Sequence, residues 1–180
     1  MLKQQSDVLY QCRMLAKGTA VAAVILCGVY LLLIVILLTL PELEPMFAFA
    51  VSSPGIAFVL VVGITLVRQA ETVFTITADM VVLSRFCHVI TQFPRGEITS
   101  AGVFVRYNNK GYYLYITTEK FEDLSASENP AETNAQQFRI LKTTANKKGS
   151  KSICIEETKK RTDAIQKLIP EFDPKNVIRL

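Results

Sequence analysis

The chain has 180 residues, 50% of them hydrophobic and 20% charged, with no tryptophan and a mean hydropathy of +0.29. That length excludes a large multidomain enzyme, and the positive mean hydropathy shows that part of the chain is not composed for water. The 20 Lys and Arg against 16 Asp and Glu leave a formal charge of +4, too mild and too dispersed for a nucleic-acid footprint, so no nucleic-acid partner is expected.

The first seventeen residues carry Lys3, Arg13 and Lys17, and no charged side chain follows until Glu42. At about 1.5 Å per residue, about 20 apolar residues cross the hydrocarbon core of a bilayer, so Thr19 to Leu40 is long enough for a transmembrane helix. Glu44 to Arg68 is equally free of charge, and Met46 to Val67 reads as a second span interrupted by Ser52-Ser53-Pro54-Gly55. Proline removes a helix hydrogen bond and clashes with the preceding turn, which predicts a kink near Pro54. Ala48-Phe49-Ala50 has the small-x-small form of a cleavage site. The first apolar run nevertheless exceeds the usual length of about 7–15 residues for a signal peptide, so an uncleaved anchor is expected.

Basic residues precede the first span and follow the second, at Arg68, while the connection Pro41-Glu42-Leu43-Glu44-Pro45 has none. The positive-inside bias therefore puts both termini in the cytoplasm, with two spans joined by a short external turn. Thr19, Ala23 and Cys27 recur at every fourth residue, and Gly55 and Gly63 reduce the bulk of the second helix beside Pro54. Small residues let transmembrane backbones approach closely, so these are the candidate helix-packing positions. No charged residue lies inside either span, which argues against an ion pathway.

From Glu71 the pattern turns to the alternation of strands. Val73–Thr77 and Met80–Ser84 flank a tight turn at Ala78-Asp79, His88–Phe93 ends at Pro94, and Ile98–Tyr107 pairs through Asn108-Asn109-Lys110-Gly111 with Tyr112–Thr117. Glu119 to Ala135 is polar and acidic, with little apolar periodicity, and is expected to be a mobile loop that faces a partner. Strand patterns resume at Gln137–Lys142 and Lys151–Glu156. Thr158 to Ile169 then reads as an amphipathic helix that places Ala164, Ile165, Leu168 and Ile169 on one face and stops at Pro170. The expected organisation is a cytoplasmic segment 1–17, a membrane α-helical hairpin 18–68, and a cytoplasmic α+β domain 69–180. That domain is expected to be an antiparallel β sandwich or barrel capped by its C-terminal helix.

Little in the sequence points to chemistry. Cys87 and His88 adjoin on an expected strand, where successive side chains point to opposite faces, and Cys154 is the only other cysteine of the soluble region. Four zinc ligands at recognisable spacing are missing, so neither a metal nor a cofactor is expected. The sequence has no GxxxxGK[ST], GxSxG or HExxH pattern, so no catalytic residues are assigned and an enzyme is not expected. Tyr107, Tyr112, Tyr113 and Tyr115 form an aromatic group around the second hairpin that could grip a peptide or base, though cross-strand packing explains it more simply. Lys142, Lys147, Lys148, Lys151, Lys159, Lys160 and Arg161 are the densest charge in the chain and form the candidate lipid- or partner-binding set, against the plainer reading of a solvated face.

Phe74-Thr75-Ile76-Thr77-Ala78-Asp79-Met80-Val81-Val82-Leu83 followed by Ile90-Thr91-Gln92-Phe93-Pro94-Arg95-Gly96-Glu97-Ile98 resembles the bacterial pleckstrin-homology-like membrane proteins. In that family two N-terminal transmembrane helices precede a small β domain. The resemblance covers about Glu71 to Phe172 and the hairpin, and implies a binding or scaffold module without catalytic residues. The expected function is thus a membrane-anchored, non-enzymatic interaction protein: a scaffold, assembly factor or accessory subunit of a membrane complex. Its expected partners are membrane lipids and either an integral membrane protein or further copies of itself. The alternative is an anionic-lipid sensor acting through Lys142 to Arg161.

Overall fold

The computed structural model describes residues 7–14, 17–39, 45–106 and 111–180, with the backbone alone at 17–20, 23, 37, 45, 47–49, 51 and 52. It is an α+β protein whose described residues form four α-helices and two four-stranded sheets. The chain divides into two compact units, one spanning Leu15–Thr72 and the other combining Met1–Met14 with Val73–Leu180.

The helical unit holds α1 (Lys17–Thr39) and α2 (Pro45–Ala70). Both are apolar on all sides: Val24, Ile25, Leu26, Phe58, Leu60 and Val61 are each more than half exposed. Among the described residues, Ser53–Ala70 is the one stretch long and apolar enough to cross a membrane, by length and composition; Val24–Ile36 is a shorter apolar stretch. The expected connection at Pro41 to Glu44 lies outside the described residues. Helix α2 runs through Pro54 without a break. The carbonyl that Pro54 cannot serve is that of Ala50, and Ser53 Oγ donates to it at 3.5 Å, so a neighbouring hydroxyl replaces the missing N–H.

The second unit opens with β1 (Val8–Arg13), before the helices, and resumes with β2 (Thr72–Thr77), β3 (Met80–Arg85) and β4 (His88–Pro94). These form one sheet in the order β1-β2-β3-β4. The segment 1–17, expected as a separate piece, therefore contributes a strand: Arg13 pairs with Val73 and Cys12 with Phe74. Its alternation is carried by only Tyr10, Cys12 and Met14, too few to mark a strand without the partner that buries them. A single 3-10 turn, Arg95–Glu97, leads to the second sheet, which comprises β5 (Ser100–Val105), β6 (Tyr112–Thr117), β7 (Ser152–Glu156) and β8 (Phe172–Ile178) in the order β7-β6-β5-β8. The β5–β8 pair is parallel, so this sheet is not the purely antiparallel one expected.

Every second residue of these strands faces the core. Phe74 and Ile76, Val81 and Leu83, Val103 and Val105, Leu114 and Ile116, and Ile153 and Ile155 meet between the sheets, and α4 (Lys159–Leu168) adds Ile165, with Ile169 just beyond it. The intervening residues of the second sheet, Phe104, Tyr115 and Cys154, lie on its other face beneath Phe138 and Leu141. Both of its faces are covered, which is why β5 is buried at every position.

Phe138 and Leu141 belong to α3 (Pro130–Thr144), which corrects two expectations. Gln137–Lys142 is helix rather than strand, and the last third of the supposed acidic loop, from Pro130 to Ala135, is the start of that helix. The local signals are an N-cap at Asn129, Pro130 in the first turn, and Glu132, whose carboxylate accepts from Asn129 Nδ2 at 3.0 Å. The short apolar set Phe138, Ile140, Leu141 fits alternation as well as helical spacing, so periodicity favoured the wrong period. Strand β8 likewise follows the helix expected to be the last element. It contains Pro174 and few apolar residues, and it forms because β5, far upstream, supplies its partner.

Candidate functional site

Structure separates the basic set. Lys151 immediately precedes β7, and its carbonyl accepts from Thr118 N at 3.0 Å; Lys147 sits in the preceding loop, with its carbonyl bonded to Thr91 Oγ1 at 2.7 Å, and Lys148 follows it. Lys142 is in the last turn of α3 with Nζ 5.7 Å from the Phe138 ring centre. Lys159 and Lys160 instead open α4, past the other end of β7. A five-residue strand is about 17 Å long at roughly 3.3 Å per residue, so the seven residues do not make one surface.

Arg161 leaves the set altogether. It is 6% exposed, and its guanidinium donates to backbone carbonyls: Nη1 to Glu156 at 2.6 Å, Nη2 to Arg13 at 2.5 Å and to Met14 at 3.2 Å. The Glu156 carboxylate stands 3.9 Å from Nη1. A buried fork that satisfies three carbonyls is a structural tie, not a lipid contact. Here it holds the last residues of β1 to the end of β7. Arg95 does the same work at the other end of α4: its backbone N–H donates to Asp79 O at 2.8 Å, Nη1 to Ala78 O at 3.0 Å and Nη2 to Leu168 O. A cation at a helix C-terminus is favoured by the unpaired carbonyls there. The sequence signal for Arg95 was its place after Pro94, but its partners lie on separate elements.

Of the helix-packing candidates, Gly55 is at a close approach. A Cβ there would stand 2.5 Å from Cε1 of Tyr30, whose ring also meets Phe58 at 6.4 Å. Gly63 faces open space, so it is not at this seam. Cys27 is half-buried and Pro54 exposed, while Thr19 and Ala23 are placed on α1 by backbone only.

Cys87 is not on a strand. It occupies the two-residue turn between β3 and β4, with Phe86 at φ 49° and Cys87 at φ 64°. No group of three or more His, Cys, Asp or Glu able to hold a metal occurs among the described residues. Burial pushes the Cys154 thiol up to about 12 and makes Cys12 a weaker acid too, so neither is an activated nucleophile. Beside the first residues of β5, Ser100 Oγ lies 3.2 Å from the Tyr115 hydroxyl and 3.4 Å from Asn176 Nδ2, at the wall of a cavity of about 420 Å³. This chain of neutral groups can accept and donate hydrogen bonds. Burial raises Tyr115 to about 12, so the phenol keeps its proton.

No protein-family model, curated protein or solved structure matches this chain.

Proposed function

We propose that the chain is a two-span membrane protein with both ends of its helical unit on one side of the bilayer. The observation that carries this is the pairing of Arg13 with Val73. Paired antiparallel residues are about 5 Å apart, so the chain leaves the β unit after Met14 and returns at Val73 in almost the same place. A segment that starts and ends on one side crosses a membrane an even number of times. If α2 crosses, α1 crosses with it, and its all-round apolar surface suits lipid.

On this reading the β unit is the working part, held at the cytoplasmic surface. Two stacked sheets with a helix near the C-terminus support a pleckstrin-homology-like module; the strand before the helices, the inserted α3 and the parallel β8 are this chain's departures from it. The function is that of a non-enzymatic scaffold, assembly factor or accessory subunit of a membrane complex. The test is the mass and composition of the particle extracted from its native membrane into lipid nanodiscs. A second protein at fixed stoichiometry is the expected result, and a particle holding this chain and lipid alone would overturn the subunit role.

A further inference from the structure

One end of the β unit gathers features that folding alone does not require. Arg13 and Val73 lie at this end, and Ser84 Oγ reaches Val73 O at 3.5 Å, so the β3–β4 turn is there too. Arg161 joins the same end to Glu156, and Glu157 N donates to Tyr112 O at 2.8 Å. Phe86, Val89 and Tyr112 stand along this edge at 48%, 51% and 50% exposure, three of the six large hydrophobic residues exposed among the described residues of the unit. Val89 lies on the side of the Lys147–Gly149 loop, where Gly149 N donates to Ile90 O at 3.0 Å, and Tyr112 lies about the length of β7 away, roughly 17 Å. The Phe86-Cys87 turn holds two side chains in the left-handed region, at about 1–2 kcal/mol each relative to glycine.

The rim is also cationic. Arg13, Arg106, Lys159 and Lys160 are exposed there, while Glu156 is engaged with Arg161, and Glu157 and Asp163, the latter lining one cavity with Lys160, are the acids nearby. Lys159 and Lys160 occupy the first turn of α4, which has no acidic residue, although the helix dipole disfavours cations at that end. Aromatic and aliphatic side chains ringed by exposed cations match the boundary between headgroups and acyl chains.

We propose that this rim rests in the bilayer surface, with Phe86, Val89 and Tyr112 entering the interfacial layer and Lys159, Lys160, Arg13 and Arg106 meeting anionic headgroups. The proposal rests on the membrane-anchor reading. The chain reaches the rim only three residues after α2 and leaves it four residues before α1. Three or four residues span about 10–14 Å at most, about twice the depth of one headgroup layer, so the rim stays near the bilayer surface.

The chain lacks tryptophan, so Phe86→Trp and Leu9→Trp each introduce a single reporter, Leu9 lying at the opposite end of β1. The full chain is reconstituted in vesicles of neutral and anionic phospholipid, with and without lipid brominated near the glycerol end of its acyl chains. Tryptophan at 86 is expected to be quenched about twofold and tryptophan at 9 to be unaffected, as for a ring at the acyl boundary; Val89→Trp repeats the measurement if Phe86→Trp misfolds. If both reporters are unquenched while the protein stays in the vesicles through an alkaline wash, the anchor stands and the rim contact is overturned. Blue-shifted emission that bromine does not quench would mean that protein covers the rim, and also overturns it. Release by the wash would overturn the anchor reading itself. Adding Lys159→Gln and Lys160→Gln is expected to weaken quenching in anionic vesicles only, and unchanged quenching there would overturn the headgroup contact.

Discussion

The helical and β units use the same apolar residues in opposite ways, and their polar side chains differ as sharply. In the helical unit the hydroxyls serve their own helix: Thr39 donates to Ile36 O at 2.9 Å and Thr65 to Val61 O at 2.8 Å. Such bonds need no partner from elsewhere, so the helices can present Val, Leu and Ile outward on every side. In the β unit Thr91 reaches Lys147, Arg95 reaches Leu168 and Arg161 reaches Arg13. Such polar groups tie segments remote in sequence, beside threonines such as Thr143, Thr144 and Thr162 that serve their own helices, and the apolar side chains turn inward. The first unit is determined locally, whereas the second exists only once distant pieces have met.

The strongest way to break that contrast is to separate β1 from the unit it completes. A chain starting at Val73 loses the edge strand and two of the carbonyls that Arg161 serves, and its β unit is expected to lose about 3–5 kcal/mol in denaturant titrations. Joining Met14 directly to Val73 with a short flexible linker is expected to keep the fold. If that variant were equally unstable, the helices would be part of the β unit's stability and the contrast would fail. Arg161→Ala should reproduce much of the first loss, and Arg161→Lys only part of it, because an ammonium cannot reach three carbonyls in one plane.

A smaller effect is expected at Gly102, where an added Cβ would meet the backbone oxygen of Asn176 on β8 and stand 3.0 Å from Tyr115. Gly102→Ala is therefore predicted to cost about 1–3 kcal/mol by forcing the parallel pair apart, read as a lowered Tm and faster amide exchange in β8.

Alkaline pH sharpens the same point. Unfolded, Cys154 and Tyr115 titrate near their ordinary values of 9.0 and 10.0; folded, burial pushes both up to about 12. Between those values the unfolded chain has lost protons that the folded chain retains, so stability is full below about pH 9 and falls as pH rises towards 12. Circular dichroism against pH should show this loss, and Cys154→Ala should make it shallower. In native protein, iodoacetamide should label exposed Cys87 well before buried Cys154.

The least effect is expected in the helical unit. Gly55→Ala presses on the far end of the Tyr30 side chain, which can turn aside, and is predicted to cost under about 1 kcal/mol of helix pairing. Gly63→Ala, facing open space, should be neutral when both variants are unfolded in detergent.

Much of this architecture is legible in the residues. Six of the eight strands and the helix at Lys159–Leu168 follow from alternation, turn residues and helical spacing, because each pattern is local. The elements that were not legible are those whose reason lies elsewhere in the chain. Strand β1 is marked by its pairing to β2 across the helices, α3 by the outer face of a sheet that needs covering, and β8 by an open edge on β5. The candidate surface follows the same rule. Lys142 to Arg161 is one charged run in sequence, yet β7 carries its two parts apart and α4 turns Arg161 inward.

By itself the sequence determined the apolar lengths of the helices and the alternation of the central strands, since each depends on neighbours within a turn or a hairpin. Tertiary structure alone decided which charges are exposed and which apolar residues meet at one rim. Burial and hydrogen bonding at those positions depend on the return of remote segments, and no local pattern encodes where those segments end.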